Sequence, residues 1–447
     1  MPSLLTVNII DGSVLLDLIS VSFLTLIYLL WRYRPETGFS GQRRHWALTV
    51  STGAACGALV AVIVIIICDP VLNVFGVPLE WDIRGWVIGG MTAVGVAVVN
   101  LWGSRWWRKV IAALGAIVFL MTTSVAVNAS YGFNPTIASL FNINVAHKIV
   151  LAHEHPTPTA SPVAAATPPP PPLPLYQTWS PPAGMPTVGQ LGTVTIPATA
   201  SGFVARPAYL YLPPAALVPN PPALPIVIAM MGQPGGPDSV NLYVNSLNAL
   251  AAAHNGLGPI VLTVDQIGSP LFDPLCIDSP RGHVYTYVIT DVLSWVQHNL
   301  HVAQGPHNWT IAGYSNGGEC ALSFGAKHPE FFGSILDVSG EIGPSLGDVA
   351  TTVRVGFGGD QGWYNREQPL TIMSQTHYDD MVAVFTHGSN DTYFGAEQNQ
   401  AEAAAQAAGM HTISLVGAGV GHRSDAIKYG FSAGIAALYS RWELAAP

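Results

Sequence analysis

Gly313-Tyr314-Ser315-Asn316-Gly317 sets a serine between two glycines, each one residue removed. That spacing suits a hydroxyl nucleophile on a sharp strand-to-helix turn, where only small neighbours let the chain double back. In a chain with 45 glycines the five residues alone say little; their setting says more. The apolar run Trp309-Thr310-Ile311-Ala312 before them reads as a strand, and Gly317-Gly318-Glu319-Cys320-Ala321-Leu322 opens a helix after them. A serine hydroxyl attacks an acyl carbon only when a base takes its proton, and the base needs an acid to orient it. In the chain order serine, acid, histidine, Asp391 is the expected acid, in the loop after the run Met381–Thr386. His422 is the expected base, after Thr412–Val416 and among Gly417, Gly419 and Gly421. His387 is a rival base that precedes the acid, while Asp360, Asp379 and Asp380 are rival acids that no strand delivers. Attack creates an oxyanion, which N–H donors must meet. The expected donors are the backbone of Asn316 and of the loop Met231-Gly232-Gln233-Pro234-Gly235-Gly236, with Gln233 first and Gly232 second.

The elements needed to hold these residues are legible from about residue 190 onward. Strands are expected at Gly192–Ile196, Phe203–Leu212, Pro225–Met230, Ile260–Val264, Trp309–Ala312, Ser334–Val338, Met381–Thr386 and Thr412–Val416. Helices are expected near 238–254, 284–300, 317–328, 396–408 and 423–441. Strand–helix alternation implies an α/β domain with a mostly parallel sheet and helices on both faces. Residues 341–378 fit no regular element and read as a cap over the site.

The first part of the chain is different. Hydrophobic residues make up 49% of the sequence and charged residues 10%, far fewer charges than a typical soluble chain carries. Four apolar stretches at about 12–31, 47–68, 85–102 and 110–127 account for this, each near the length that crosses a bilayer. Arg32, Arg34, Arg43 and Arg44 follow the first stretch, and Arg105, Arg108 and Lys109 precede the fourth. Positive loops stay inside, so both termini are expected outside. Trp31, Trp46, Trp81, Trp86, Trp102, Trp106 and Trp107 stand at span ends, as interfacial anchors do. The first stretch lacks the basic start and small-residue site of a cleaved signal, and no span carries a charge at its middle, which argues for anchoring over transport.

Three regions follow: four transmembrane helices over 1–130, a juxtamembrane segment and Pro-rich linker over 131–189, and a catalytic domain over 190–447. The linker, with Pro168 to Pro172, reads as an extended spacer, and its His153-Glu154-His155 triplet as solvated chain. Residues 1–189 carry a net charge of +2 and residues 190–447 one of −11; the acidic half excludes a nucleic-acid footprint. No phosphate-binding Gly-Lys loop, dinucleotide fingerprint or zinc-ligand spacing occurs, so no cofactor and no metal are expected. Cys56 and Cys68 lie in an apolar span, and a Cys276–Cys320 disulfide is left open, since sequence does not report the Cα separation.

Met230-Met231-Gly232-Gln233, Cys276-Ile277-Asp278-Ser279-Pro280, Tyr287 to Trp295, Gly313 to Ala321 and Gly421-His422 resemble the esterase family of α/β hydrolases that includes esterase D and the antigen 85 mycolyltransferases. The resemblance covers just over half the chain and implies ester hydrolysis or acyl transfer through an acyl-serine. Antigen 85 members use a glutamate where Asp391 stands, which sets mycolyl transfer apart from this chain. The four-span start resembles that of actinobacterial envelope esterases. The expectation is therefore a multi-pass membrane esterase with its catalytic domain on the extracytoplasmic side. Its partners would be an ester substrate, with membrane lipids, aminoacyl-lipids and envelope glycolipids as candidates, and the bilayer. An acyltransferase acting on an envelope sugar or lipid, and an inactive envelope scaffold, are the alternatives.

Overall fold

The computed structural model describes residues 4–10, 12–31, 39–71, 79–141, 143, 146–151, 173–270 and 272–447. The basic loop at Arg32 and Arg34, the Pro-rich run and the His153-Glu154-His155 triplet lie outside the described residues, as does the side chain of Arg43. The chain divides into two compact units, Met1–Val145 and Ala146–Pro447.

The first unit holds α1 (Ser13–Leu30), α2 (Phe39–Ile66), α3 (Trp81–Val99), α4 (Trp106–Tyr131) and the short α5 (Ile137–Leu140). Four helices among the described residues are long and apolar enough to cross a membrane. In lipid no hydrophobic effect drives helices together, so close packing and hydrogen bonds must. Glycines of α2 and α3 supply that packing. A Cβ on Gly95 would lie 2.0 Å from the Gly53 carbonyl oxygen, and one on Gly57 would lie 2.1 Å from that of Met91. The α2 and α3 backbones therefore touch directly. Arg108, counted in the sequence as a basic loop residue, is instead buried. It donates to Asn100 Oδ1 at 2.7 Å, the Leu29 carbonyl at 2.7 Å and the Trp31 carbonyl at 3.1 Å. Its charge thus sits on carbonyls at the α1 carboxyl end, where a cation is favoured.

The second unit is built on an eight-stranded sheet. Its strands are β1 (Gln190–Val194), β2 (Ala208–Leu212), β3 (Ile226–Met230), β4 (Ile260–Val264), β7 (Trp309–Tyr314), β8 (Ser334–Val338), β9 (Val382–Gly388) and β10 (His411–Gly417). The spatial order is β1-β2-β4-β3-β7-β8-β9-β10, and a separate hairpin pairs β5 (Asp278–Ser279) with β6 (Gly282–His283). β2 runs antiparallel to β1 and β4, and the remaining pairs are parallel. β3, β4, β7 and β8 are buried along their whole length, which is why they read as unbroken apolar runs rather than alternating ones.

The helices of this unit are α6 (Leu175–Thr178), α7 (Val244–Ala253), α8 (Val284–Thr286), α9 (Leu293–Asn299), α10 (Asn316–Lys327), α11 (Val349–Gly356), α12 (Gln361–Glu367), α13 (Pro369–Ser374), α14 (Thr392–Ala407) and α15 (Ser424–Ala437). Successive residues of β8 point to opposite faces. Gly430 and Gly434 of α15 press on Val338 and Leu336, while Gly325 of α10 presses on Ile335. Helices therefore cover both faces, the arrangement of an α/β-hydrolase.

Two features depart from the sequence reading. Residues 341–378 are not irregular: they form α11, α12 and α13. Asp348 caps α11 through Thr351 N–H, Asp360 caps α12 through Trp363 N–H, and Pro369 opens α13. Helices this short carry no apolar period, so only caps announce them. Their aromatic residues Phe357, Trp363 and Tyr364 pack on Leu275 and Ile277. The second feature is an early start to the second unit. Ile149 N–H donates to the Thr193 carbonyl at 2.9 Å and Thr193 N–H to the His147 carbonyl at 2.8 Å, so residues 147–149 lie along β1. Beyond the Pro-rich run, Tyr176 N–H bonds the Glu443 carbonyl and Trp179 Nε1 the Asn255 carbonyl. The described residues on either side of that run thus belong to the second unit, and residue 190 falls inside it.

Replacing Gly95 by Leu puts four heavy atoms where the α2 backbone lies. Overpacking of this kind costs about 1–3 kcal/mol, so thermal unfolding of the detergent-solubilised protein is expected at a lower temperature, with Gly89→Leu, whose Cβ meets nothing within 4 Å, as the neutral control.

Candidate active site

The turn between β7 and α10 carries Ser315 at φ 55°, ψ −121°. A side chain at this φ is strained and needs surrounding structure to hold it. The glycines show what holds it. A Cβ at Gly313 would lie 1.8 Å from the Gly317 carbonyl oxygen, one at Gly317 2.4 Å from that of Met230, and one at Gly318 2.5 Å from Asp337 Oδ1. Ser315 N–H donates to the Val338 carbonyl at 3.0 Å, tying the turn to β8.

The two other expected residues arrive on neighbouring loops. Asp391 follows β9 and caps α14: its Oδ1 accepts from Phe394 N–H at 3.3 Å. Its Oδ2 lies 2.9 Å from His422 Nδ1, and His422 Nε2 lies 3.0 Å from Ser315 Oγ. Ser315 and Asp391 are 7% and 5% exposed. The loops that bear the acid and the imidazole are latched together by Asn390 N–H on the Val420 carbonyl and Ser389 N–H on the Gly417 carbonyl. The ring of His422 is stacked between Phe394, 3.8 Å between centroids, and Tyr314, 5.0 Å away. With Asp391 ionised, Nδ1 carries the proton and the lone pair of Nε2 faces the serine hydroxyl.

The expected N–H donors are adjacent. A Cβ on Gly232 would be 3.2 Å from the Cβ of Ser315. The N–H groups of Gly232, Gln233 and Asn316 have no acceptor among the described residues. The rivals are employed elsewhere. His387 Nδ1 lies 3.1 Å from the Gly388 carbonyl, Asp360 caps α12, Asp379 pairs with His377 and Asp380 with Arg441.

Sequence reasoning missed the surroundings. Phe394 and Tyr314 confine the imidazole; Tyr314 was visible as the variable residue of the serine motif, whereas Phe394 has no signal beyond its place three residues after the acid. Cys276 and Cys320 form a disulfide with a Cα separation of 5.2 Å, which pins the loop before β5 to α10. The only cluster of metal-ligand type among the described residues is Cys276, Glu319 and Cys320, and its two sulfurs are bonded to each other. Several acids lie in the protein interior around the serine turn. Burial pushes Glu319 up to about 8, Asp337 up to about 7 and Asp273 up to about 6. Glu397 is raised by burial and held down by the N–H of Ile342, on which its Oε2 sits at 3.0 Å.

A carboxyl raised in the folded state binds a proton that the unfolded chain has released, so stability is greatest below the unfolded pKa and falls as pH rises through the folded one. For Glu319 that window runs from 4.5 to about 8. The melting temperature is expected to fall as pH is raised across it. Glu319→Gln preserves the partner that accepts from Ser323 Oγ at 2.7 Å and should flatten that slope; an unchanged slope in a pH series of thermal scans would count against a neutral buried Glu319.

A family model described as "Putative esterase" matches residues 277–435. A protein of Corynebacterium glutamicum carrying the description "Uncharacterized protein" is 30% identical over 427 residues, which span 91% of each chain. Among solved structures, a ferulic acid esterase is 15% identical and covers 57% of this chain and 99% of its own, with a TM-score of 0.48. An S-formylglutathione hydrolase from Agrobacterium tumefaciens is also 15% identical, covers 57% of this chain and 97% of its own, and has a TM-score of 0.48. This chain therefore belongs to one family with the Corynebacterium protein, and its α/β-hydrolase unit carries over residues 277–435 the esterase family match, which supports a carboxylic ester hydrolase.

Proposed function

We propose that this protein is a membrane-anchored serine esterase working on the extracytoplasmic side, with Ser315 as nucleophile, His422 as base and Asp391 as the acid that orients it. The observation carrying this reading is the unbroken contact chain from Ser315 Oγ through the imidazole to Asp391, 3.0 and 2.9 Å long. As the Oγ–C bond forms, the hydroxyl proton moves to His422 Nε2 and the carbonyl oxygen becomes an anion. The free N–H groups of Asn316 and Gln233, with Gly232 as second choice, receive that anion. Collapse breaks the bond to the alcohol, which takes the proton from His422. Water then gives a proton to the same nitrogen as it attacks the acyl carbon; collapse breaks the Oγ–C bond, Ser315 Oγ takes the proton back from His422, and the acid is released. Asp391 stays ionised throughout and stabilises the imidazolium.

Three observations support the location. The four apolar helices have the length of membrane spans. The basic residues after the first helix and before the fourth favour those two connections inside, which leaves the catalytic unit outside. A Cys276–Cys320 disulfide suits an oxidising compartment. A catalytic unit joined to such helices meets its substrates at a bilayer, which favours lipid-linked esters.

Ser315→Ala is expected to lower hydrolysis of a short p-nitrophenyl ester by at least about 10³-fold and to abolish labelling by a fluorophosphonate, with the fold retained by circular dichroism. Turnover that survives the substitution would remove Ser315 from the reaction. For the topology, alkaline phosphatase fused after Pro447 is expected to be active and green fluorescent protein fused there dark; the reverse pattern would put the catalytic unit inside.

A further inference from the structure

Gln266 stands two residues beyond β4, at the carboxyl edge of the sheet, and is 2% exposed. Its backbone is fixed by its neighbour. Asp265 accepts from Arg206 Nε at 3.0 Å and Nη2 at 2.7 Å, and from Gly268 N–H at 3.1 Å. From that base the Gln266 side chain reaches two partners. Its Nε2 donates to the Met231 carbonyl oxygen and to Asn316 Oδ1, the latter at 3.1 Å. The chain continues: Asn316 Nδ2 donates to Asp273 Oδ2 at 3.1 Å, and Asp273 Oδ1 accepts from Leu275 N–H at 2.7 Å. Asp273 and Asn316 are also buried, at 8% and 5% exposure.

The two residues that Gln266 bridges border both halves of the anion site. Met231 directly precedes Gly232 and Gln233, and Asn316 carries the third N–H. The direction of every bond in the chain is set at one end. An ionised carboxylate only accepts, so Asn316 must turn its Nδ2 to Asp273 and its Oδ1 to Gln266. Gln266 must then offer both of its N–H groups, one to each side. The disulfide holds the same geometry from behind. Cys276 lies three residues after Asp273, and Cys320 lies four after Asn316, on the same face of α10 one turn on.

We infer that Gln266 is a positioning residue: it sets the separation of the Gly232–Gln233 and Asn316 N–H groups, oriented by Asp273. It touches neither substrate nor the reacting atoms. This rests on the esterase reading above, in which those N–H groups bind the oxyanion. A donor set displaced by a fraction of an ångström still binds the ester but binds the tetrahedral state less well, so kcat should suffer and KM should not.

The test uses the full chain in detergent micelles, a p-nitrophenyl ester as substrate, and an alkyl trifluoromethyl ketone, which forms a hemiketal on serine and places an oxyanion in the site. Gln266→Glu keeps the shape but turns two donors into acceptors. It is expected to lower kcat about 10–100-fold with KM within about threefold, and to weaken the ketone by a similar factor. The ratio of its kcat to that of the wild type should rise as pH falls from about 8 to about 6, because protonation of the introduced carboxyl restores a donor. Gln266→Met, apolar and of similar length, should show the same split without the pH dependence, and it decides the matter if Gln266→Glu fails to fold. Wild-type kcat and ketone affinity in a folded variant, or a loss confined to KM, overturns the inference. Retained turnover in Ser315→Ala together with ketone-insensitive wild type overturns the esterase reading instead.

Discussion

Ser315 sits at a φ of 55°, a backbone conformation that a residue with a Cβ avoids. Nothing local stabilises it. It persists because the backbone on either side is pressed close to neighbouring elements: Gly313 against Gly317, Gly317 against Met230, and Gly318 against Asp337 and Gly340. Each contact is a place where any side chain would collide, so the strained turn is held by the close approach of β3, β7, β8 and α10. The hydroxyl is thereby lifted to the sheet edge where the loops after β9 and β10 bring Asp391 and His422. The imidazole gains its orientation from a hydrogen bond at one nitrogen and from two aromatic faces, Phe394 and Tyr314.

The same economy of space organises the first unit by another route. In lipid the surroundings of its helices are as apolar as their side chains, so burying apolar area cannot choose one packing over another. Gly53, Gly57, Gly90 and Gly95 let backbones and a threonine hydroxyl come into direct contact. Arg108 adds a specific tie, spreading its guanidinium over the α1 carbonyls and Asn100. A residue that reads as part of a basic loop therefore serves as internal glue.

Around the serine turn, burial of acids replaces the apolar filling usual beneath a sheet edge. Glu319, Asp337 and Asp273 are all buried, and burial raises all three. Uncharged, the carboxyl of Glu319 can donate as well as accept, so it fills tight polar space next to Ser315 at lower cost than an ion would, whereas Asp273, raised less, accepts as a carboxylate from Asn316 Nδ2 and Leu275 N–H. The disulfide, Phe357 after α11, and Trp363 and Tyr364 of α12 brace the loop that carries Asp273.

The order serine, acid, histidine, each just past an apolar strand, was legible from residue types alone. So were the four long apolar stretches and the alternation that builds the sheet, because burial leaves a repeating mark on sequence. Gly232, Gln233 and Asn316 stand as candidate donors from the serine motif and the Gly-rich loop, and their N–H groups have no acceptor among the described residues. Chain order favoured His422 over His387, and the tertiary structure added the contact itself: His422 Nε2 reaches Ser315 Oγ at 3.0 Å, while His387 lies within β9. The tertiary structure also decided the Cys276–Cys320 link, which depends on a Cα separation of 5.2 Å across 44 residues. The Gln266–Asn316–Asp273 chain, the Phe394 stack and the β1 pairing of residues 147–149 were invisible for the same reason. Each is a contact between side chains or backbones far apart in sequence, and no periodicity records where a chain comes back to meet itself.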